Sequence, residues 1–509
     1  MKKLSRLSKV SLLLAVLFTV DKALSVLRVM LISRQFRLSA VLDAFNSANN
    51  IPDMLFMMIS GGALAIAFIP VLSEVLSEEG REKAWKLFSN ILNMALIVTI
   101  LFAVIVGIFA KQIVSSKIGV APGFTPDQIA LTADLMRLNL IATIIFSVSG
   151  LVMSGLQTNQ HFFLPALAPI FYDIGQIFGV LVLAPTTPYQ FGPLKLPAFG
   201  LGVNGMVYGV IIGALLHLLI QMPGLVRYHF KWSPAISLKD PATRKVLKLM
   251  GPRVLSMFFI MMIFNIQDNL ASRLAEGSVT ALTYGWWLMQ IPETLIGTAI
   301  ATAVLPTLAE LFASKELALM ASKIERAAKI MLATTVPVAM VAGMVLPPVL
   351  GRFFGFSSAE TMRVVEVSRI FMIGIVGHSL VELFVRSFYA LQKPYLPTIG
   401  AGLTMLIFLA LGVALLKPMQ AAGIAAANTI AYAMQAVFLF VFLRKQFAEP
   451  ITLWQALLRG ALGGIVGAGI AFGVLYFRSS FLFAILAFLA GILAAGLLVR
   501  KDLKELASL

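Results

Sequence analysis

Residues 92–110 read LNMALIVTILFAVIVGIFA, a run without a charged side chain. About 20 such residues carry an α-helix across the bilayer hydrocarbon, where an unpaired backbone group costs several kcal/mol and a helix pairs its own. The same texture returns at Leu138–Leu156, Met331–Leu350 and Thr404–Leu416. A membrane β-barrel is written differently, in roughly 10-residue alternating segments, and no such pattern is visible. Composition agrees: 59% of the 509 residues are hydrophobic and 12% are charged, against about 45–50% and about 25% in soluble domains. The reading is an all-α, polytopic membrane protein rather than two soluble domains.

Working outward, the apolar periodicity places about fourteen spans, with boundaries uncertain by a few residues. They lie near 7–33, 40–75, 84–114, 128–157, 162–185, 198–225, 246–275, 278–312, 322–350, 358–390, 394–416, 419–444, 453–476 and 479–500. The N-terminal Lys2, Lys3, Arg6 and Lys9 precede an apolar run as in a signal peptide. No small-residue cleavage site follows, so this is read as a retained first span. Lys and Arg cluster on alternate sides of the spans. One side holds Arg227, Lys231, Lys239, Arg244, Lys245 and Lys248, then Lys315, Lys323, Arg326 and Lys329, then Arg500, Lys501 and Lys504. The other holds mostly single charges (Lys195, Arg352, Lys417, Arg478), with the pair Arg34 and Arg37 as the exception. Both termini are therefore expected in the cytoplasm of a bacterial inner-membrane protein.

An internal repeat organises the chain. Ile51-Pro52-Asp53-x-Leu55, Ala65-Ile66-Ala67, Pro70-x-Leu72 and Glu74 return as Ile291-Pro292-Glu293-x-Leu295, Ala299-Ile300-Ala301, Pro306-x-Leu308 and Glu310. The displacement is 240 residues at the first proline and 236 at the second. Leu156-Gln157 with Leu164-Pro165 return as Leu391-Gln392 with Leu396-Pro397. Six spans separate the copies, so both halves run the same way, as in transporters built from parallel repeats. The expected domains are an N-terminal lobe at 1–225, a cytoplasmic basic linker at 226–245, a C-terminal lobe at 246–447 and a helix pair at 448–509. Such repeats are expected to hold a substrate path between them and to work by alternating access.

Several function classes drop out. Without cysteine there are no disulfides, iron–sulfur clusters, thiolate zinc sites or thiol nucleophiles, and the four histidines, His161, His217, His229 and His378, lie far apart. No phosphate-binding Gly-Lys-Ser/Thr loop, nucleophile elbow or His-Glu-x-x-His helix is present. No cofactor or metal is expected. The net charge of +17 sits in loops between spans, so it argues for membrane topology and not for nucleic acid. Gly200-x-Gly202-x-x-Gly205 matches the dinucleotide fingerprint by letters only, since no strand precedes it; helix packing explains it better. Gly463-x-x-x-Gly467 reads as a helix-contact surface.

Ionisable groups inside spans carry the functional signal, because each costs at least about 2.5–3.5 kcal/mol at the bilayer centre unless sheltered. The first span holds Asp21, Lys22 and Arg28; the second opens with Asp43, Asn46, Asn49, Asn50 and Asp53, a polar stripe at helical spacing. The seventh adds Asn265, Gln267, Asp268, Asn269 and Arg273, and the eighth Trp286, Trp287, Gln290 and Glu293. Structural ion pairing is the alternative account: Asp21 or Asp43 could neutralise Lys22 or Arg28, and Glu382 with Arg386 forms an i,i+4 pair. For the first two spans the density of polar groups favours a hydrated cavity. Cations there suit an anionic head, and guanidinium suits diphosphate.

At these residues the chain resembles the MurJ/MviN family of lipid II flippases, within the multidrug, oligosaccharidyl-lipid and polysaccharide exporter superfamily. Asp43-Ala44-Phe45, Pro52, Gly62-Ala63, Ala67-Phe68-Ile69-Pro70 and Glu74 resemble its second-helix signature. Ala121-Pro122-Gly123-Phe124, Phe163-x-Pro165-Ala166-x-Ala168-Pro169, Met250-Gly251-Pro252 and Gly277-Ser278-Val279 match further along. The resemblance runs from about residue 12 to about residue 400. It implies two lobes, a central cationic cavity and movement of an undecaprenyl-diphosphate-linked peptidoglycan precursor from the inner to the outer leaflet. By position, Lys22 and Arg28 stand where the family has two arginines thought to hold the diphosphate. Phe56 and Trp287 stand where it has two further arginines, and Gly61 and Val29 where it has acids.

The leading expectation is a lipid II flippase, not an enzyme. Its substrate-binding residues would be Lys22, Arg28, Asp43, Asn49, Asn50, Asp53, Trp287 and Glu293, with Asp268 as an ion-coupling candidate. In this scheme Asn49, Asn50 and Asp53 meet sugar or neighbouring polar groups, Trp287 stacks on a sugar ring, and the last two spans form a groove for the polyprenyl tail. Expected partners are the lipid-linked saccharide, membrane lipids and cell-wall synthesis proteins. The alternatives are a flippase for another lipid-linked saccharide, a cation-coupled small-molecule antiporter using Asp53, Asp268 or Glu293, and a non-transporting scaffold for a cell-wall complex.

Overall fold

The computed structural model describes residues 6–59, 62–234, 236–448 and 451–504. The chain divides into two compact units, Met1–Asn265 and Ile266–Leu509. The first contains α1 (Arg6–Phe36), α2 (Ala40–Ile59), α3 (Gly62–Glu78), α4 (Arg81–Ser115), α5 (Pro126–Thr158) and α6 (Phe163–Phe178), which continues as a π-helical turn at Gly179–Leu183. A two-residue ribbon of β1 (Gln190–Phe191) and β2 (Leu194–Lys195) leads to α7 (Gly202–Leu219), α8 (Met222–Arg227) and α9 (Pro241–Ala271), inside which the division falls. The second unit continues with α10 (Ser278–Glu293), a π turn at Thr294–Thr298, α11 (Ala299–Ala313), α12 (Leu317–Phe353), α13 (Ser358–Ala390), α14 (Tyr395–Arg444), α15 (Trp454–Phe477) and α16 (Phe481–Lys504).

Among the described residues, 11 helical runs are long and apolar enough to cross a membrane. Of these, α14 is two expected spans joined across a kink at Gln420, beside Pro418. The two expected spans outside this set correspond to α1 and to α2 with α3; residues 60 and 61, between these two, lie outside the described residues.

The repeat is visible as matched local devices. Thr125 caps α5 in a reciprocal box with Gln128, and Ser357 caps α13 in the same way with Glu360. Arg137 of α5 donates its Nε to the Gly107 carbonyl of α4 at 2.9 Å; Arg369 of α13 donates to the Gly343 carbonyl of α12 at 2.8 Å. After α5, Gln160 turns left-handed (φ 58°) and His161 N–H reaches back to Leu156. After α13, Gln392 (φ 56°) and the Lys393–Phe388 bond repeat that ending. These satisfy the orphan donors and acceptors at helix ends that hydrocarbon cannot.

Glycine lets helices close to backbone contact. A Cβ on Gly209 of α7 would stand 2.7 Å from Gly179 Cα, and one on Gly205 2.6 Å from Ala184 N, so of the expected motif Gly205 packs against a neighbouring helix, while Gly200 (φ 68°) and Gly202 (φ 55°) serve the left-handed turn into α7. In α15, Gly467 meets the Gly491 carbonyl of α16 in the same way. Arg459 and Asp502 close this helix pair, at 2.8 and 2.6 Å, and both helices lie against α12.

The core of the first unit gathers Phe68, Trp85, Phe88 and Leu156. The segment after α8 is clasped to it by α4: Asn90 exchanges hydrogen bonds with Ser237, Asn93 donates to Ser233 and accepts from Trp232 Nε1, and Trp85 donates to the Tyr228 carbonyl. The basic stretch expected as a linker is thus held in place. The core of the second unit gathers Leu308, Ile324, Phe384, Phe388 and Leu439.

Candidate functional site

In the first unit α1 and α6 lie side by side, and this contact decides what Arg28 faces. Its Nε stands 3.4 Å from Asp173 Oδ1 of α6, and its Nη2 reaches Ser25 Oγ at 3.3 Å. Asp173 is buried, with 5% of its side chain exposed, against 20% for Arg28. The ion pair is incompletely made: Nε is buried with no hydrogen bond. The sequence named Asp21 and Asp43 as neutralising partners and passed over Asp173, the single charged residue of its span.

Lys22 is mostly exposed, 3.9 Å from Asp21. Both belong to the electrostatic surroundings of Asp173, along with Arg28. Tyr172 in turn feels Arg28, Asp53 and Asp173. Three elements, α1, α2 and α6, therefore bring Lys22, Arg28, Asp53, Tyr172 and Asp173 into one polar neighbourhood. Each cation in it has a carboxylate beside it. Asp53 is exposed and makes no hydrogen bond or ion pair among the described residues.

The remaining expected residues of α2 separate into roles. Asp43 is buried. Asn49 accepts from Asn139 Nδ2 of α5 at 2.7 Å and donates to its own helix at Phe45 O, which ties α2 to α5. Asn50 is half-buried. Phe56, where a cation would stand by family resemblance, packs on Phe146 at 5.6 Å, and Phe146 meets Tyr172 at 5.0 Å and His217 at 5.3 Å. Below that wall His217 Nδ1 and Gln221 Nε2 both bond Ser149 Oγ. An aromatic wall thus flanks the polar group at the Phe56 position.

In the second unit, Trp287 is half-buried against Phe354, ring centres 6.5 Å apart. Glu293 is buried at the last position of α10, where both carboxylate oxygens lie 3.3 Å from Thr298 Oγ1. Asp268 is buried within α9. Arg273 bonds the Asn269 side chain one turn back at 2.8 Å. The i,i+4 pair of Glu382 and Arg386 forms as expected. An aromatic cluster in which Trp286 meets His378 edge-on at 5.0 Å and His378 lies 3.7 Å from Tyr432, with His378 Nε2 bound to Asn428, was not anticipated. Among the described residues no group of His, Cys, Asp and Glu is spaced to hold a metal.

With the geometry in hand, comparison with known proteins is specific. A family model described as "Lipid II flippase MurJ" matches residues 32–498. Among curated proteins, the lipid II flippase MurJ of Burkholderia cenocepacia is 27% identical over 435 residues, 83% of this chain and 81% of that one. The probable lipid II flippase MurJ of Buchnera aphidicola subsp. Acyrthosiphon pisum is 26% identical over 419 residues, covering 81% and 78%. A solved structure of a lipid II flippase MurJ in an inward closed conformation superposes with a TM-score of 0.78 at 19% identity, over 97% of this chain and all of that one. An inward-facing multidrug-resistance transporter of the MATE family shares the fold, with a TM-score of 0.68 at 14% identity over 84% and 94%.

Proposed function

This chain belongs to the lipid II flippase MurJ family, and we propose that it carries lipid II from the inner to the outer leaflet by alternating access, with Arg28 as the principal diphosphate contact. Lipid II flipping is its function, and it is a multi-pass inner-membrane transporter rather than an enzyme. The observation that carries the Arg28 assignment is its half-made ion pair: a guanidinium on the polar helix α1, with a buried Nε and no hydrogen bond to it. A diphosphate offers that group bidentate acceptors that a single carboxylate oxygen at 3.4 Å does not.

Lys22, exposed one and a half turns earlier, supplies a second, mobile charge. Asn50 and Asp53 face the sugar or peptide part, and Trp287 provides a stacking surface in the second unit. Asp43 and Asn49 take positioning roles within α2, supported by burial and by the Asn49–Asn139 bond. Both termini are assigned to the cytoplasm on the distribution of Lys and Arg. Cell-wall synthesis proteins would meet the basic segment 226–245, which α4 holds in shape.

The test is rescue of cells depleted of their own lipid II flippase. The parent chain restores growth, and Arg28→Ala does not at equal membrane expression. Failure of the parent to rescue would reject lipid II as the substrate. Sodium or drug efflux that depends on Asp268 would favour an antiporter instead.

A further inference from the structure

Arg137 and Arg369 are counterparts in the two halves, and they finish their contacts differently. Each donates its Nε to a glycine carbonyl on the preceding long helix, Gly107 for Arg137 and Gly343 for Arg369. In the first lobe an acid three residues earlier completes the arginine: Asp134 Oδ1 accepts from Arg137 Nη1 at 2.6 Å. In the second lobe Glu366 stands at the same spacing, exposed, but makes no hydrogen bond or ion pair among the described residues. The terminal nitrogens of Arg369 likewise have no protein partner among them. Two opposite charges one helical turn apart thus both keep unused hydrogen-bonding capacity.

Both line a pocket of about 440 Å³ along one stripe of α13, from Met362 to Ile370. That is room for a small headgroup. Arg363 lines the same pocket, half-buried, and its Nη2 donates to the Glu276 carbonyl at 2.8 Å and to Ser278 Oγ at 3.2 Å. Both guanidiniums are therefore positioned by neighbouring backbone, from α12 and from the turn before α10. Arg369 is also the last charged residue of α13 before the uncharged run Ile370–Val381. One turn further along the stripe Ile373 is 65% exposed, the kind of face that lipid chains cover on a membrane helix. A charged pocket that runs into an apolar face has the outline of a phospholipid, headgroup first and chains after.

We propose that Arg363, Arg369 and Glu366 bind the headgroup of a zwitterionic phospholipid, phosphatidylethanolamine, at the rim of the membrane. The guanidiniums take the phosphate, whose oxygens suit their planar donors. Glu366 takes the primary ammonium, which an ethylene spacer holds beside that phosphate. In the first lobe the Asp134–Arg137 pair closes the equivalent position, so a single site is expected. The acid decides the lipid class. An anionic headgroup such as phosphatidylglycerol would satisfy the arginines but leave Glu366 opposed, and the methylated ammonium of phosphatidylcholine has no N–H to give it. Bound there, the lipid would brace α13 against α12 and the turn before α10, the elements Arg369 and Arg363 already touch. No step of flipping is invoked, so the site stands or falls apart from the transported substrate.

The experiment is native mass spectrometry of the purified full-length protein, titrated with phosphatidylethanolamine, phosphatidylglycerol or phosphatidylcholine of identical chains. The parent is expected to retain one molecule of phosphatidylethanolamine, in preference to either competitor by about threefold to tenfold. Glu366→Gln should abolish the preference over phosphatidylglycerol; because the Glu366 carboxylate bonds nothing among the described residues, the change spares the fold. Arg369→Gln should weaken all three lipids, which share the phosphate, and Arg137→Gln in the first lobe should weaken none. Equal retention of the three lipids by the parent overturns the proposal, as does a parental preference for phosphatidylglycerol, the mark of a purely cationic site. So does an unaltered preference in Glu366→Gln, whatever Arg369→Gln does.

Discussion

Arg28→Ala acts on this protein in two ways, and they can be separated. It removes the proposed diphosphate contact, and it strands Asp173, whose side chain is 5% exposed. The first effect is the loss of a charge-assisted hydrogen bond, about 1.5–3 kcal/mol, or roughly ten- to hundredfold in affinity. The second is smaller than the about 3–5 kcal/mol typical of breaking a well-made buried pair. The guanidinium is 20% exposed, and its 3.4 Å contact with Asp173 lacks a hydrogen bond at Nε, so about 1–2 kcal/mol of stability is the expected share. The double variant Arg28→Ala/Asp173→Asn removes the stranded charge while leaving the diphosphate contact absent. Thermal unfolding of the purified variants and appearance of lipid II in the outer leaflet of depleted cells are the two readouts. Arg28→Ala should lose both stability and flipping, and the double variant should recover stability and stay inactive. Asp173→Asn alone should keep flipping, because it frees Arg28 rather than deleting it. A double variant that flips lipid II at the parental rate would refute the reasoning, since Arg28 would then serve only to neutralise Asp173.

Further outcomes follow from individual contacts. Gly209→Leu should cost about 1–3 kcal/mol or more and broaden the size-exclusion profile, because even a Cβ there stands 2.7 Å from the Gly179 backbone. Arg459→Ala leaves Asp502, 1% exposed, without its partner between α15 and α16; it should lower the unfolding temperature, and Arg459→Ala/Asp502→Leu should restore most of the loss. His161, in the loop between α5 and α6, has its pKa pushed below the usual 6.5, first by burial and then by Arg227. A depressed pKa means the folded form prefers neutral imidazole, so stability present above about pH 6.5 declines as pH falls, and melting curves of His161→Gln should lose that part of the slope. The chain has no cysteine, so Asp53→Cys is a single label; an exposed Asp53 predicts modification by a water-soluble maleimide, which the parent resists.

How much of this was legible in the sequence depends on what kind of contact a residue makes. Spans, proline breaks and the order of helices follow from local apolarity and backbone chemistry, and they appear where the residues put them. Gly463-x-x-x-Gly467 was readable as a contact surface because small residues have few other uses in a membrane helix. The identity of Arg28's partner was not readable. Asp173 lies far along the chain, the single charged residue of its span, and only the packing of α1 on α6 brings the two together. Asn139 is the same case: nothing in its own helix marks it as the anchor of Asn49.

The repeat sharpens this distinction. Positions that kept their chemistry in both copies are the helix caps, the left-handed glutamines and the arginines that bind a neighbour's carbonyl, all devices that any membrane lobe of this shape requires. Where the copies part, the chemistry becomes specific. Phe146 of α5, in the aromatic wall beside Arg28, corresponds to His378 of α13, which bonds Asn428 and stacks on Tyr432. Asp53 and Glu293 follow the first proline of each copy of the repeat, yet among the described residues one is exposed and unbonded and the other is buried among hydroxyls. A duplicated scaffold whose matched acids meet such different surroundings has divided its labour. The first lobe keeps its acid open beside the cations proposed to meet the lipid head, and the second has closed its acid among hydroxyls.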